Sequence, residues 1–242
     1  MTDLAPNRSP LASATPPEAQ GRVVVEQRDA KGAIVGRDAL LNGVPHGPMA
    51  RCTPDGEPTF EAHYAHGALS GAMRAYDPPG VLVKEAHYVD GKEHGVTTLY
   101  QDGRVAARQA YVAGVLQGES VSYAPSGQVT SRLPYRAGKL EGEAVFLHEG
   151  VVVRRACYRT SVLEGETREY AADGTLVQSL PYHAGLLHGT ARRFDPDERV
   201  MAERRYVNGK PQEVWREIDT PVAGQAAGLP KIVSNFEKWV KG

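Results

Sequence analysis

Short polar–apolar runs of five to seven residues recur through most of this chain, most of them closed by a glycine-bearing turn. Val96–Tyr100 and Val105–Tyr111 are two of them, separated by Asp102-Gly103. Runs of that length, carrying Val, Thr and Tyr, suit strands and are too short for helices. Asp55-Gly56, Ser126-Gly127, Glu149-Gly150 and Asp173-Gly174 repeat the same punctuation. Such pairs supply the positive φ that tight hairpins need. A second connection is expected at the five-residue string Gly91 to Gly95, echoed four more times as GALSG, GVLQG, GKLEG and GLLHG.

The runs belong to a repeat. Tyr88, Gly91, Gly95, Tyr100 and Gly103 match Tyr111, Gly114, Gly118, Tyr123 and Gly127. Extended outward, the leading position falls at Leu40, Tyr64, Tyr88, Tyr111, Tyr135, Tyr158, Tyr182 and Tyr206, at steps of 23 or 24 residues. The second aromatic position holds Cys52, Tyr76, Tyr100, Tyr123, Leu147, Tyr170 and Phe194, so all 11 tyrosines occupy one of the two slots. Two turns per period mean one hairpin per repeat. Chained hairpins without intervening helix predict an all-β, elongated antiparallel meander of roughly 15 strands at ~4.8 Å spacing. The aromatics should form two ladders along it. Pro134 and Pro181 precede Tyr135 and Tyr182, which places these tyrosines at strand ends or bulges.

The unit Tyr-x-x-Gly-x-x-x-Gly-x-x-x-x-Tyr resembles the MORN-repeat variant of the bacterial YwqK-like group. The resemblance covers about residues 40–210 and recurs in register, weakening at Leu40, Cys52, Leu147, Ser161 and Glu213. It implies a β-hairpin repeat fold without catalytic residues. It also implies an immunity or antitoxin role, or that of a scaffold, with a protein as partner.

The pattern divides the chain into four stretches. Residues 1–20 are rich in Pro, Ala and Ser and read as a disordered tail. Residues 21–218 carry the repeats, opening with the hairpin Val23 to Leu41 and closing near Val214–Ile218. Residues 219–229 read as a flexible linker. In residues 230–242, Ile232, Val233, Phe236, Trp239 and Val240 share one face of a short helix begun by Pro230. That helix is expected either to cover the end of the sheet or to dock on a partner.

Composition narrows the function classes. The 242 residues carry a net charge of −1, with 41% apolar and 24% charged positions. The balance gives no case for a nucleic-acid partner, and it counts against association with anionic lipid. The tail has no apolar core of a secretory signal and no stretch reaches the length of a membrane span, so a cytoplasmic location is expected. Cys52 and Cys157 lie more than four repeats apart, too far for a disulfide in a meander, and two free thiols suit a reducing compartment. Histidines at equivalent slots, such as His46, His94 and His188, stand too far apart to share an ion, so neither metal nor cofactor is expected. No nucleophile, acid–base pair or phosphate loop can be assembled, and the Gly-x-x-x-Gly strings belong to the repeat.

Two columns of charge remain. Glu119, Glu143 and Glu166 each follow the second repeat glycine, forming either a solvated acidic stripe or a partner contact. Arg74, Arg168 and Arg192 each precede the second aromatic by two residues, on that residue's side of the strand. Arginine beside exposed ring surface suits protein recognition, whereas cross-strand ion pairing is the plainer alternative. The expected recognition set is Arg74, Tyr76, Tyr100, Tyr123, Arg168, Tyr170 and Arg192, with Trp239 if the terminal helix takes part. The reading that results is a non-enzymatic repeat protein presenting an extended surface to a toxin or secreted effector. Bridging of protein partners, self-assembly and membrane association are the alternatives.

Overall fold

The computed structural model describes residues 21–77 and 80–218. The expected tail at 1–20, the linker at 219–229 and the helix at 230–242, with Trp239, lie outside the described residues. Among the described residues the chain is all-β, with 22 strand segments from Arg22–Arg28 to Arg216–Glu217 in one antiparallel sheet. Strands pair with their sequence neighbours. Arg22–Arg28 pairs with Ile34–Leu41, which pairs with Val44–Cys52, which pairs with Pro58–Ala65. The same order runs through to Val200–Val207 and Arg216–Glu217.

The number of segments exceeds the number of strand runs in the sequence because bulges cut some strands in two. Lys92–Glu93, Val115–Leu116, Lys139–Leu140 and Leu186–Leu187 each continue into the next strand after one residue: His94, Gln117, Glu141 and His188. At each break the backbone N–H still donates across the ladder, as from His94 to the His87 carbonyl at 2.8 Å. The five-residue string expected to be a connection is thus mostly strand. Its turn is Asp90-Gly91, with φ of 49° and 77°, a two-residue hairpin between the paired Val89 and Lys92. Its second glycine, Gly95, follows the bulge at φ 93°, a region open to Gly and costly for other residues.

Alternation separates the two aromatic rows onto opposite faces. The leading tyrosines share a face with a row of small, buried side chains: Ala62, Ala86, Thr97, Ser120, Ala144, Ala156, Thr167 and Ala191. Around Ala62, Met73 and Ala86, the flanking Phe60, Tyr64, Leu69, Ala75 and Tyr88 close over this row. This inner face is where the core lies. Small residues suit it because a single sheet has no second layer, so larger neighbours on the same face must cover the central row. Pro134 and Pro181 fit their strands because their carbonyls accept from Glu141 and His188 at the bulges, where no proline N–H is demanded. Tyr135 and Tyr182 then sit one residue from their strand ends.

Candidate protein-recognition face

The opposite, outer face is organised by one cross-strand row. It runs Arg37, Ala50, Glu61, Arg74, Glu85, Thr98 and Arg108. It continues Val121, Arg132, Val145, Arg155, Arg168, Ser179, Arg192, Glu203 and Arg216. The second-position aromatics stand two residues along the strand from members of this row, where a one-residue register shift precedes Tyr76, Tyr100, Tyr123, Tyr170 and Phe194. At each of these places the returning strand carries one residue more than its partner, as Ala106 between Val105 and Ala107 opposite Tyr100 and Leu99.

The expected recognition residues fall into local clusters. In the first, Arg74 pairs with Glu85 at 2.8 Å, the Tyr76 hydroxyl donates to Glu61 Oε2 at 2.8 Å, and the Tyr100 hydroxyl donates to Glu85 Oε2 at 3.3 Å. Burial, then the neighbouring glutamate, raises the Tyr76 and Tyr100 hydroxyl pKa values. The hydrogen bond from Arg74 to Glu85 raises the guanidinium pKa further. In the second, Arg168 pairs with Glu166 at 2.7 Å, with Tyr170 two residues on in the same strand. In the third, Arg192 and Arg216 both hold Glu203, at 2.9 and 3.0 Å, and the hydrogen bond from Arg192 lowers the Glu203 pKa. Arg74 and Arg192 are ten strand steps apart, about 48 Å along the sheet at ~4.8 Å per step. They therefore do not belong to one contact patch. Every arginine of the expected set already holds a carboxylate, which Arg192 shares with Arg216.

The glutamate column is likewise neutralised in place. Glu119 holds Arg132 at 3.1 Å and Glu143 holds Arg155 at 2.6 Å. The sequence pattern passes over Arg104 and Arg108, which make no ion pair with any described residue. Arg108 lies with its guanidinium 6.0 Å from the Tyr123 ring centroid. The readable signal was Val96, which stands where Glu119 and Glu143 stand in the next two repeats.

The inner face carries charged groups that the repeat did not announce: Arg51 pairs with Asp38, Lys84 pairs with Glu93, and a third group spans four strands. Arg154 lies opposite Glu169, which lies opposite Gln178, which lies opposite Arg193. Arg193 stacks over Trp215 at 4.1 Å and Arg154 lies 5.9 Å from the Phe146 ring centroid. Burial raises the Glu169 pKa, and the Arg154 charge partly opposes it. Among the described residues, no group of three or more His, Cys, Asp and Glu side chains could hold a metal ion, and Cys52 and Cys157 are free. No helix among them is long and apolar enough to cross a membrane.

No family model matches this chain, and no curated protein matches it. Among solved structures, similarity is found to the crystal structure of TarM, with a TM-score of 0.24 and 9% identity over 54% of this chain and 19% of the other. A second is the crystal structure of TcdB2-TccC3-Cdc42, with a TM-score of 0.20 and 11% identity over 78% of this chain and 14% of the other. The chain thus spans less than a fifth of either, and likeness at this level carries no argument about role.

Proposed function

We propose that this chain is a non-enzymatic protein-binding repeat protein, an immunity protein that neutralises a cognate bacterial toxin by direct binding inside the cell. One observation carries the reading. The outer face aligns the second-position aromatics and an arginine-rich row along a single continuous register from Arg37 to Arg216. Aromatic and arginine side chains dominate the binding energy of protein interfaces. An interface of about 800 Å² per partner fits on a few adjacent repeats of such a face. The resemblance of the tandem unit to MORN-repeat variants supports the same role, and two free thiols suit a reducing cytoplasm.

The test is co-expression with the product of the adjacent gene. If that product arrests growth alone, this protein restores growth and co-purifies with it in a defined ratio. A harmless product, or rescue without a complex, overturns the reading.

The scaffold reading has its own support. Strand Arg22–Arg28 pairs with a single neighbour among the described residues, and Val24 on it is 64% exposed. An edge of this kind can pair with a second copy. A sedimentation coefficient that rises with concentration, and falls back in Val24→Lys, would favour self-assembly over neutralisation.

A further inference from the structure

The outer row has one break in its charge pairing, and it lies near the middle of the face. Arg132 and Arg155 each receive a carboxylate from the residue that follows the bulge glycine, Glu119 and Glu143. Those glutamates lie across from Pro134 and Cys157, two residues beyond the arginine they hold. Val96 occupies the equivalent place for Arg108. It follows Gly95 and lies across from Ala110, two residues beyond Arg108. Arg108 therefore has Thr98 and Val121 as its cross-strand neighbours and no carboxylate. Glu85, the row member beyond Thr98, is already engaged by Arg74 and Tyr100.

The surroundings of Arg108 form a shallow seat. Arg104, Arg108, Tyr123 and Pro125 line an open depression of about 380 Å³. Arg104 donates to the Pro125 carbonyl at 2.8 Å, which fixes one side of the depression. The Tyr123 ring faces the Arg108 guanidinium. Val96, on the same face, is 58% exposed.

We propose that Arg104, Arg108 and Tyr123 seat a carboxylate side chain of a partner protein, with Val96 taking the apolar side chain beside it. The inference rests on the protein-binding reading and names the spot and the partner chemistry. The planar guanidinium fork matches a carboxylate with two parallel hydrogen bonds. Elsewhere on the row an incoming carboxylate must compete with a resident glutamate. At Arg108 it meets two guanidiniums without one, so complementarity gains most there. A small free anion would need the charge alone. The exposed valine gains only when a larger surface excludes water from it.

The probe is a fluorescein-labelled peptide of alternating leucine and glutamate, compared with its glutamine counterpart by anisotropy on the full chain at low salt. The glutamate peptide binds at least about tenfold more tightly than the glutamine one, a difference set by its carboxylates. It shifts the side-chain NMR signals of Arg104 and Arg108. Val96→Glu supplies the missing internal partner, so it folds like its neighbours and weakens the peptide at least about fivefold. Arg108→Gln does the same, whereas Arg132→Gln leaves binding within about twofold. Equal losses in Arg108→Gln and Arg132→Gln, shifts spread over all the arginines, or full binding to Val96→Glu overturns the proposal. So does displacement of the peptide by millimolar inorganic phosphate but not by chloride of equal ionic strength. Because the peptide is measured against the free protein, such a failure leaves the co-expression experiment untouched.

Discussion

Tyr135 stands directly across the sheet from Gly118. The same pairing recurs as Tyr64 with Gly47, Tyr88 with Gly71, Tyr158 with Gly142 and Tyr206 with Gly189. Each glycine has positive φ, as at 102° for Gly118, and offers no side chain to the ladder. A Cβ at Gly118 would meet Ala110 on the opposite face instead, at 3.5 Å. The two slots of the repeat thus divide the work: the glycine takes the backbone conformation at the bulge, and the tyrosine paired with it lies on the face of the buried row.

Removal of one leading ring should cost about 2–3 kcal/mol in the middle of the array, as for a half-buried aromatic truncated to alanine. Urea unfolding of Tyr135→Ala tests this. Tyr206→Ala, near the end of the sheet, should cost less, since fewer neighbours depend on it. Equal losses would argue against a stack stabilised from neighbour to neighbour.

Turn chemistry gives a second prediction, in both directions. Gly103 has φ 72° in the two-residue turn between Gln101 and Arg104, so Gly103→Ala should cost about 1 kcal/mol or more. Thr160 holds the first, also left-handed, position of another two-residue turn, between Arg159 and Val162, at φ 50°, where a β-branched residue is strained. Asn42 and Asn208 hold that slot elsewhere at φ 53° and 48°. Thr160→Asn should therefore raise stability by about 0.5–1 kcal/mol, read as a higher urea midpoint at unchanged slope.

The fold was legible in the sequence because its signals are local. Tyrosine spacing, glycine turns and run length are set within one hairpin, and a meander adds only nearest-neighbour pairing. The string from Gly91 to Gly95 misled because both its glycines look like turn residues. Gly91 makes the turn, but Gly95 answers a bulge already inside the next strand. The site was legible only in part. The spacing put Arg74 and Tyr76 on one side, and the structure keeps them there. Whether an arginine is free depends on what faces it from a neighbouring strand, as Glu119 faces Arg132, Glu85 faces Arg74 and Val96 stands in the place of a glutamate beside Arg108. That relation appears only once the register is known, so the repeat spacing that singles out Arg74, Arg168 and Arg192 is silent on Arg108. The Arg154, Glu169 and Arg193 group was hidden for the same reason, each member coming from a different strand.

That inner group predicts a pH effect. Burial raises the Glu169 pKa, so the folded state favours the protonated acid. The contribution is complete below the unfolded pKa and is lost as pH rises through the folded one. Glu169→Gln keeps the neutral form at every pH. It should melt at a higher temperature than the parent near neutral pH, with the gap closing in acid below the usual carboxylate range. A gap that widens in acid would mean that Arg154 holds Glu169 ionised.

The central claim is that the outer face meets a protein partner, and the tyrosines report on it directly because they divide between the faces. Hydroxyl-radical footprinting of the complex with the adjacent gene product would read each ring separately. The account predicts that Tyr100 and Tyr123 lose reactivity on binding while Tyr88, Tyr111 and Tyr135 keep theirs. Protection confined to the inner row of tyrosines, or the absence of any complex to footprint, would contradict it.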